Sequence, residues 1–423
     1  MSGDLLKEAT IPIFSGFIGY ATNWSGVWML FNPLEFKGIR LPGLRPLANV
    51  MPRRIQQIPG VMQGGVGWQG IIPSRAAKMG SIAVDKGIAK VGSPAEFYEH
   101  LDPEKIAEQI LTSSSGDMRA LVERIMEREH PQLWNDLPPR VREAVHERVQ
   151  EQLPDIVRDV TGRIGRNIDD LLDVKLMVIR HLEAHPELAN RIFLDVGRKE
   201  LRFIIRFGGV FGFACGFPLI LATNAFPHWY VLPLLGTIVG YVTNWLAIWM
   251  IFEPVRPRKV GPWRMHGLFL RRRGHVADVY ATIIADDVIT IGNIGTELLE
   301  GPRSDRTRAM IQNALRPAVD RATGAVQPFV RLAIGPREYD AIRESLALEG
   351  IEHTITPLQD EDFNREQSRA IHELFAARIR ELDYPDFSEL LRSAMREDEW
   401  LLVLHGAVLG FGAGLVHLAL FGV

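Results

Sequence analysis

The chain has 423 residues, 48 Lys and Arg against 51 Asp and Glu, a net charge of −3, and is 47% hydrophobic. That length exceeds one simple core, and a mean hydropathy of +0.02 lies between soluble and membrane proteins. A single cysteine, Cys215, excludes an internal disulfide and any zinc site built on several thiolates.

The first predicted element is an apolar helix from Pro12 to Phe31, of spanning length. Its flank holds Asp4, Lys7 and Glu8 and no small-residue cleavage site, so it is read as a retained span rather than a signal peptide. Within it, Gly19 to Pro33 reads GYATNWSGVWMLFNP, which returns 221 positions later at Gly240 to Pro254 as GYVTNWLAIWMIFEP. Both copies set a Thr-Asn pair, Thr22-Asn23 and Thr243-Asn244, in apolar sequence, where an amide is costly unless something bonds it. The four residues make a candidate polar site inside the membrane, able to line a cavity and bind an ion or a lipid headgroup. The plainer reading is a bond between the amides or to a neighbouring backbone, worth about 0.6 to 2 kcal/mol. Trp28 and Trp249 fall one turn beyond Trp24 and Trp245, as an aromatic face near an interface would.

Beyond Pro33 the chain turns glycine-rich and basic, then helical. Val141, Val145, Val149, Leu153, Ile156, Val157 and Val160 share one helical face, as do Ile371, Leu374, Phe375, Ile379 and Leu382 later on. Prolines such as Pro94, Pro103, Pro131, Pro139 and Pro186 cut the first long connection into pieces. Nothing shows strand alternation with hairpin turns. Three further apolar segments follow at Phe207 to Thr223, Trp229 to Phe252 and Leu401 to Phe421. The second and fourth segments match at three glycines: Gly208 with Gly406, Gly212 with Gly410, and Gly216 with Gly414. Glycine at every fourth position lets helices approach closely, so these two spans are expected to pack on each other near an axis.

Cations set the orientation. Lys37, Arg40, Arg45, Arg53 and Arg54 follow the first span, Arg191, Arg198, Lys199, Arg202 and Arg206 precede the second, and Arg256, Arg258, Lys259 and Arg264 follow the third. The link from Asn224 to His228 and the last 23 residues have no Lys or Arg. The positive-inside rule then places both long connections in the cytoplasm and both termini outside. The expected fold is an all-α integral membrane protein with four transmembrane helices in two parallel repeats, each a span, a cytoplasmic helical domain and a span. Its parts are residues 1–33 (first span), 34–200 (first helical domain), 201–254 (a transmembrane hairpin), 255–398 (second helical domain) and 399–423 (fourth span).

Gly70 to Arg75 aligns with Gly267 to Arg272. These segments offer Arg75, Lys78, Arg271, Arg272 and Arg273 as candidate headgroup-binding cations, each able to contribute about 1 kcal/mol near an anionic leaflet. Their plainer role is to set topology. The run from Arg396 to Glu399 reads as a charged helix start. His405 and His417 fall in the fourth span without an acidic partner between them, and each is expected to bond a neighbouring backbone group. His181 and His185 lack the pattern of a metal site. No phosphate-binding loop, GxSxG elbow, HExxH or Rossmann fingerprint is present, so no enzyme activity, metal or cofactor is expected. The cations track membrane edges rather than one soluble face, which argues against nucleic-acid binding.

The paired GYxTNW segments, together with Gly267 to Ile284 (GLFLRRRGHVADVYATII), Ile192 to Phe203 and Leu390 to Gly410, resemble the YheB and YjiN group of bacterial membrane proteins, a family defined by a domain of unknown function. The resemblance implies the bacterial inner membrane and brings no catalytic residues. The leading expectation is a multi-pass protein that binds or senses membrane lipid or another amphipathic ligand. Two rivals are a scaffold recruiting a protein partner and a small-solute transporter, for which four spans would suffice only as a homo-oligomer.

Overall fold

The structure is a computed structural model that describes residues 2–421 except 49, 57, 115, 116, 130, 324–334, 394 and 395. The side chains of Asp4, Lys7, Glu8, Arg45, Arg53 and Arg54 also lie outside the described residues. The chain forms two compact units. The first comprises Met1–Gly87, Ile179–Tyr280 and Ala377–Val423, and the second Ile88–Val178 and Ala281–Ala376. The stretches 34–200 and 255–398, expected as separate helical domains, are therefore each divided. Their middles share one core and their ends belong with the apolar helices.

The first unit is built on four long helices: Ser2–Phe31, Pro186–Ala225, Val231–Phe252 and Glu399–Phe421. The last three are long and apolar enough to cross a membrane. At about 1.5 Å per residue even the shortest of them covers the roughly 30 Å hydrocarbon core. Ser2–Phe31 has the length, but Ser15, Thr22, Asn23 and Ser25 dilute its apolar run.

Glycine decides which helices meet. A Cβ on Gly208 would strike the Gly19 carbonyl and the Asn23 amide, and one on Gly212 the Ser15 carbonyl; one on Gly216 would run into Pro12. In the same way Gly406 faces Gly240 and Asn244, Gly410 faces Gly236, and Gly414 faces Pro233. The glycine stripes of the second and fourth helices thus pack on the first and third helices, rather than on each other as expected. The reason is that the first and third helices carry small residues at the facing positions, so two cleared faces meet and the backbones touch.

Two short antiparallel strand pairs, the second of them a hairpin, modify the all-α expectation. Lys37–Arg40 (β1) pairs antiparallel with Gly65–Trp68 (β2), and Arg258–Val260 (β3) with Trp263–Met265 (β4). Gly38 and Gly67 lie directly opposite each other in the first strand pair, where a Cβ on either would strike the other strand. Pro33 and Pro254, both preceded by cis peptide bonds, open these segments. Their carbonyls accept from Gly70 N at 2.9 Å and Gly267 N at 3.1 Å, which ties the end of each loop back to the end of a long helix.

The second unit is helical. Pro94, Pro103, Pro131 and Pro139 each stand at the first position of a helix, where the missing N–H costs nothing. The 33-residue helix Pro139–Leu171 carries Pro154 within it and buries Leu153, Val157, Val160, Ile164 and Ile168, while Val141 at its start stays exposed. It packs against Pro103–Ser114 and Ser304–Thr323. Phe97 stacks on Phe375 with centroids 5.3 Å apart, both fully buried.

The glycine contacts make a direct prediction. Gly208→Val should destabilise the protein by about 1–3 kcal/mol or more through overpacking, whereas Gly412→Ala, which meets nothing within 4 Å, should be close to neutral. Thermal unfolding in detergent micelles separates the two, and equal effects would contradict the packing.

Candidate functional site

The two Asn side chains are fixed by matching bonds. Asn23 Nδ2 donates to the Ile204 carbonyl at 2.6 Å, and Asn244 Nδ2 donates to the Leu402 carbonyl at 2.6 Å. The amides therefore bond the facing backbone, not each other. A carbonyl at that distance requires the nitrogen there, so both amide oxygens point away from the bonded helix. Thr243 Oγ1 donates to Val239 O at 2.6 Å within its own helix. All four residues of the expected polar site, Thr22, Asn23, Thr243 and Asn244, are buried and line one cavity of about 60 Å³ among the long helices. His417 lines it as well, with its Nε2 3.3 Å from Thr10 Oγ1. His405 Nε2 lies 3.0 Å from Ser25 Oγ. Both histidines thus meet side-chain hydroxyls where backbone partners were expected.

The candidate headgroup cations are mostly held by the protein. Arg75 is buried and pairs with buried Asp398 at 2.6 Å, and Lys78 pairs with Glu397. Arg272 Nη1 reaches both oxygens of buried Glu200 at 3.0 and 3.2 Å. Arg273 donates to Leu382 O at 2.9 Å and lies over the Tyr384 ring. Arg271 is exposed. The pairs cross over: Arg75, after the first long helix, binds the acid before the fourth, while Arg272, after the third, binds an acid leading into the second. Glu200 and Asp398 stand 198 positions apart, the offset of the glycine pairs. Glu200 was thus missed, and Asp398 was read only as part of a charged helix start, although that offset marks them as a pair. The run Arg396 to Glu399 does more than start a helix, because Glu399 also pairs with Arg392 at 2.9 Å, which reaches Glu253 at 3.1 Å.

In the second unit a cavity of about 100 Å³ opens between Pro103–Ser114, Pro139–Leu171, Ile291–Glu300 and Ser304–Thr323. Its wall is apolar, including Ile106, Val157, Ile294, Leu298 and Ile311. The polar groups among its lining residues are engaged: Tyr98 OH donates to Thr161 O at 3.1 Å, and Thr161 Oγ1 to Val157 O at 2.9 Å. Burial pushes the Tyr98 phenol up from its ordinary pKa, so it stays neutral. A void so lined excludes water and suits an apolar guest.

The chain is similar to UPF0754 membrane proteins. It is 34% identical to one from Synechococcus elongatus over 93 residues, which is 21% of this chain and 23% of the relative. It is 35% identical to another from Synechococcus sp. (strain JA-2-3B'a(2-13)) over 103 residues, 23% of this chain and 25% of that one. With one from Shouchella clausii it shares 39% over 75 residues, 16% of this chain and 20% of the relative. The matches thus span a quarter or less of each relative's length. These relatives are membrane proteins of unknown function. No family model matches the chain, and no solved structure does. The relatives and the three apolar helices together point to a membrane location.

Asp398 gives a pH signature. Burial, outweighing the attraction of Arg75 and Lys78, pushes its carboxyl up to about 6 from 3.8. The folded state therefore holds this proton more tightly than the unfolded one, and the contribution falls as pH rises through that window. The stability difference between the native protein and Asp398→Asn should fall by up to about 1.4 kcal/mol per pH unit between roughly pH 4 and 6, then level off. Unfolding in detergent across that range reads it directly. A difference that does not change with pH would show that the carboxyl does not titrate with folding.

Proposed function

We propose that this chain is a multi-pass protein of the bacterial inner membrane whose second unit takes up an apolar or amphipathic, lipid-like ligand. The apolar cavity among Ile106, Val157, Ile294, Leu298 and Ile311 carries the ligand reading, because a void of about 100 Å³, room for the end of an alkyl chain, with its polar groups already bonded favours hydrocarbon over water. Separately, in the first unit, exposed Arg271 at the end of the short helix Leu268–Arg271 offers one cation to an anionic headgroup at the membrane edge. The reading is of a binding or sensing protein, not an enzyme.

Four spans in two parallel repeats are part of this proposal. The first helix supports it by being inside out: Ile13, Phe17, Tyr20, Trp24 and Trp28 are exposed on one face while Thr22 and Asn23 are buried. Leu234, Ile238, Tyr241 and Trp245 repeat that exposed face on the third helix, with Thr243 and Asn244 buried. Apolar-out and polar-in is the arrangement lipid selects, since a soluble helix would turn the other way. The cation distribution supports cytoplasmic connections with both termini outside.

Lipid retained through purification in mild detergent tests the ligand reading. Mass spectrometry should find lipid bound to the native protein, and Leu298→Trp, which fills the cavity, should lower it several-fold without loss of folded protein. Lipid content unaffected by Leu298→Trp would refute the reading.

A further inference from the structure

The cavity among the long helices is a different kind of space from the one in the second unit. Asn23 is 2% exposed, and its Oδ1 is buried with no hydrogen-bond partner among the described residues. His417 is 4% exposed, and its Nδ1 is likewise buried and unpartnered among the described residues. Asn244 lines the same cavity with its Nδ2 already committed to Leu402 O, which leaves its Oδ1. A buried acceptor without a donor is costly, and native proteins supply one. Among the described residues no Asp, Glu, Lys or Arg lines the cavity; besides the amides and His417 its wall carries the hydroxyls of Ser15, Thr22 and Thr243, set among aliphatic side chains that include Ile18, Leu219 and Val239.

From this geometry we infer that the cavity binds an uncharged hydrogen-bond donor carried on an apolar body, the hydroxyl of a lipid alcohol. The hydroxyl donates to an amide oxygen fixed by its own bond to the facing helix. A space of about 60 Å³ admits the hydroxyl and the first methylenes, which lie against the aliphatic wall, and the rest of the hydrocarbon extends out of the opening. A cation is disfavoured because no lining side chain is anionic and an unpaired buried charge is far costlier than a neutral donor. Water satisfies the amide oxygen but leaves the aliphatic wall against a polar guest. The inference is independent of the ligand assigned to the second unit.

The test is photolabelling of the full chain in detergent with two probes, an octanol bearing a diazirine and an octane bearing the same diazirine. Peptide mass spectrometry then locates the label. The octanol probe should label residues such as Ile18, Leu219 and Val239 about fivefold to tenfold more than the octane probe, the range one neutral hydrogen bond gives. Asn23→Leu combined with Asn244→Leu should abolish that preference. Since losing both amides also removes two helix-to-helix bonds, Ile18→Trp supplies a variant that keeps both amides and fills the space; it should remove octanol labelling while the protein stays folded. Equal labelling by the two probes, labelling that survives Ile18→Trp, or no label at these residues, as for a cavity holding water alone, would overturn the inference.

Discussion

The first unit rests on backbone meeting backbone at glycine, with one amide locking each crossing. Where Gly208 meets Gly19 and Gly406 meets Gly240, no side chain separates the helices, so dispersion between main chains replaces the hydrophobic effect that lipid does not supply. Asn23 and Asn244 then fix the axial position of each pair by bonding one particular carbonyl on the facing helix. Moving either helix by a single residue would break that bond and drive a larger neighbour into the glycine gap. The cavity, the orientation of the amide oxygens and the placing of the loops beyond Pro33 and Pro254 all follow from this fixed register.

Part of this was legible in the chain. The 221-residue offset identified both Asn residues and the helix each belongs to, because a repeated polar pair in apolar sequence has few structural uses. The glycine stripes announced close contact but not the partner. A row of small residues says that something approaches, and only the matching rows at Pro12 to Gly19 and Pro233 to Gly240 say what. The headgroup reading of Arg75 and Arg272 took them for surface cations, since sequence does not reveal that Asp398 and Glu200 reach them from far along the chain. The cavity of the second unit was invisible for a related reason. Its wall combines residues near Ile106 and Val157 with others near Ile294 and Ile311, and neither stretch encloses space alone. The paired strands, three or four residues each, are too short for alternation to register.

The two cavities differ in how polarity is handled. In the second unit each polar group among the named lining residues finds a partner within the protein, so the space is left to hydrocarbon. Among the long helices the amide nitrogens are spent and an oxygen is left over. One chain thus presents two chemically distinct environments, one that rewards only apolar area and one that also rewards a single donor.

In the two-repeat reading, the crossed pairs Arg75 with Asp398 and Arg272 with Glu200 have a further meaning. Each repeat gives its arginine to the other and takes the other's in return, the reciprocity that defines a two-fold interface between identical subunits. A single repeat would bury an acid with no counter-charge, so it could be complete only by exchange with a second copy. Joining the copies in one polypeptide makes that exchange intramolecular and independent of protein concentration. It also frees each side to change: the first repeat could gain its longer loop between Pro33 and Gly70, and one acid could become Glu while its counterpart became Asp, without any requirement that both sides change together.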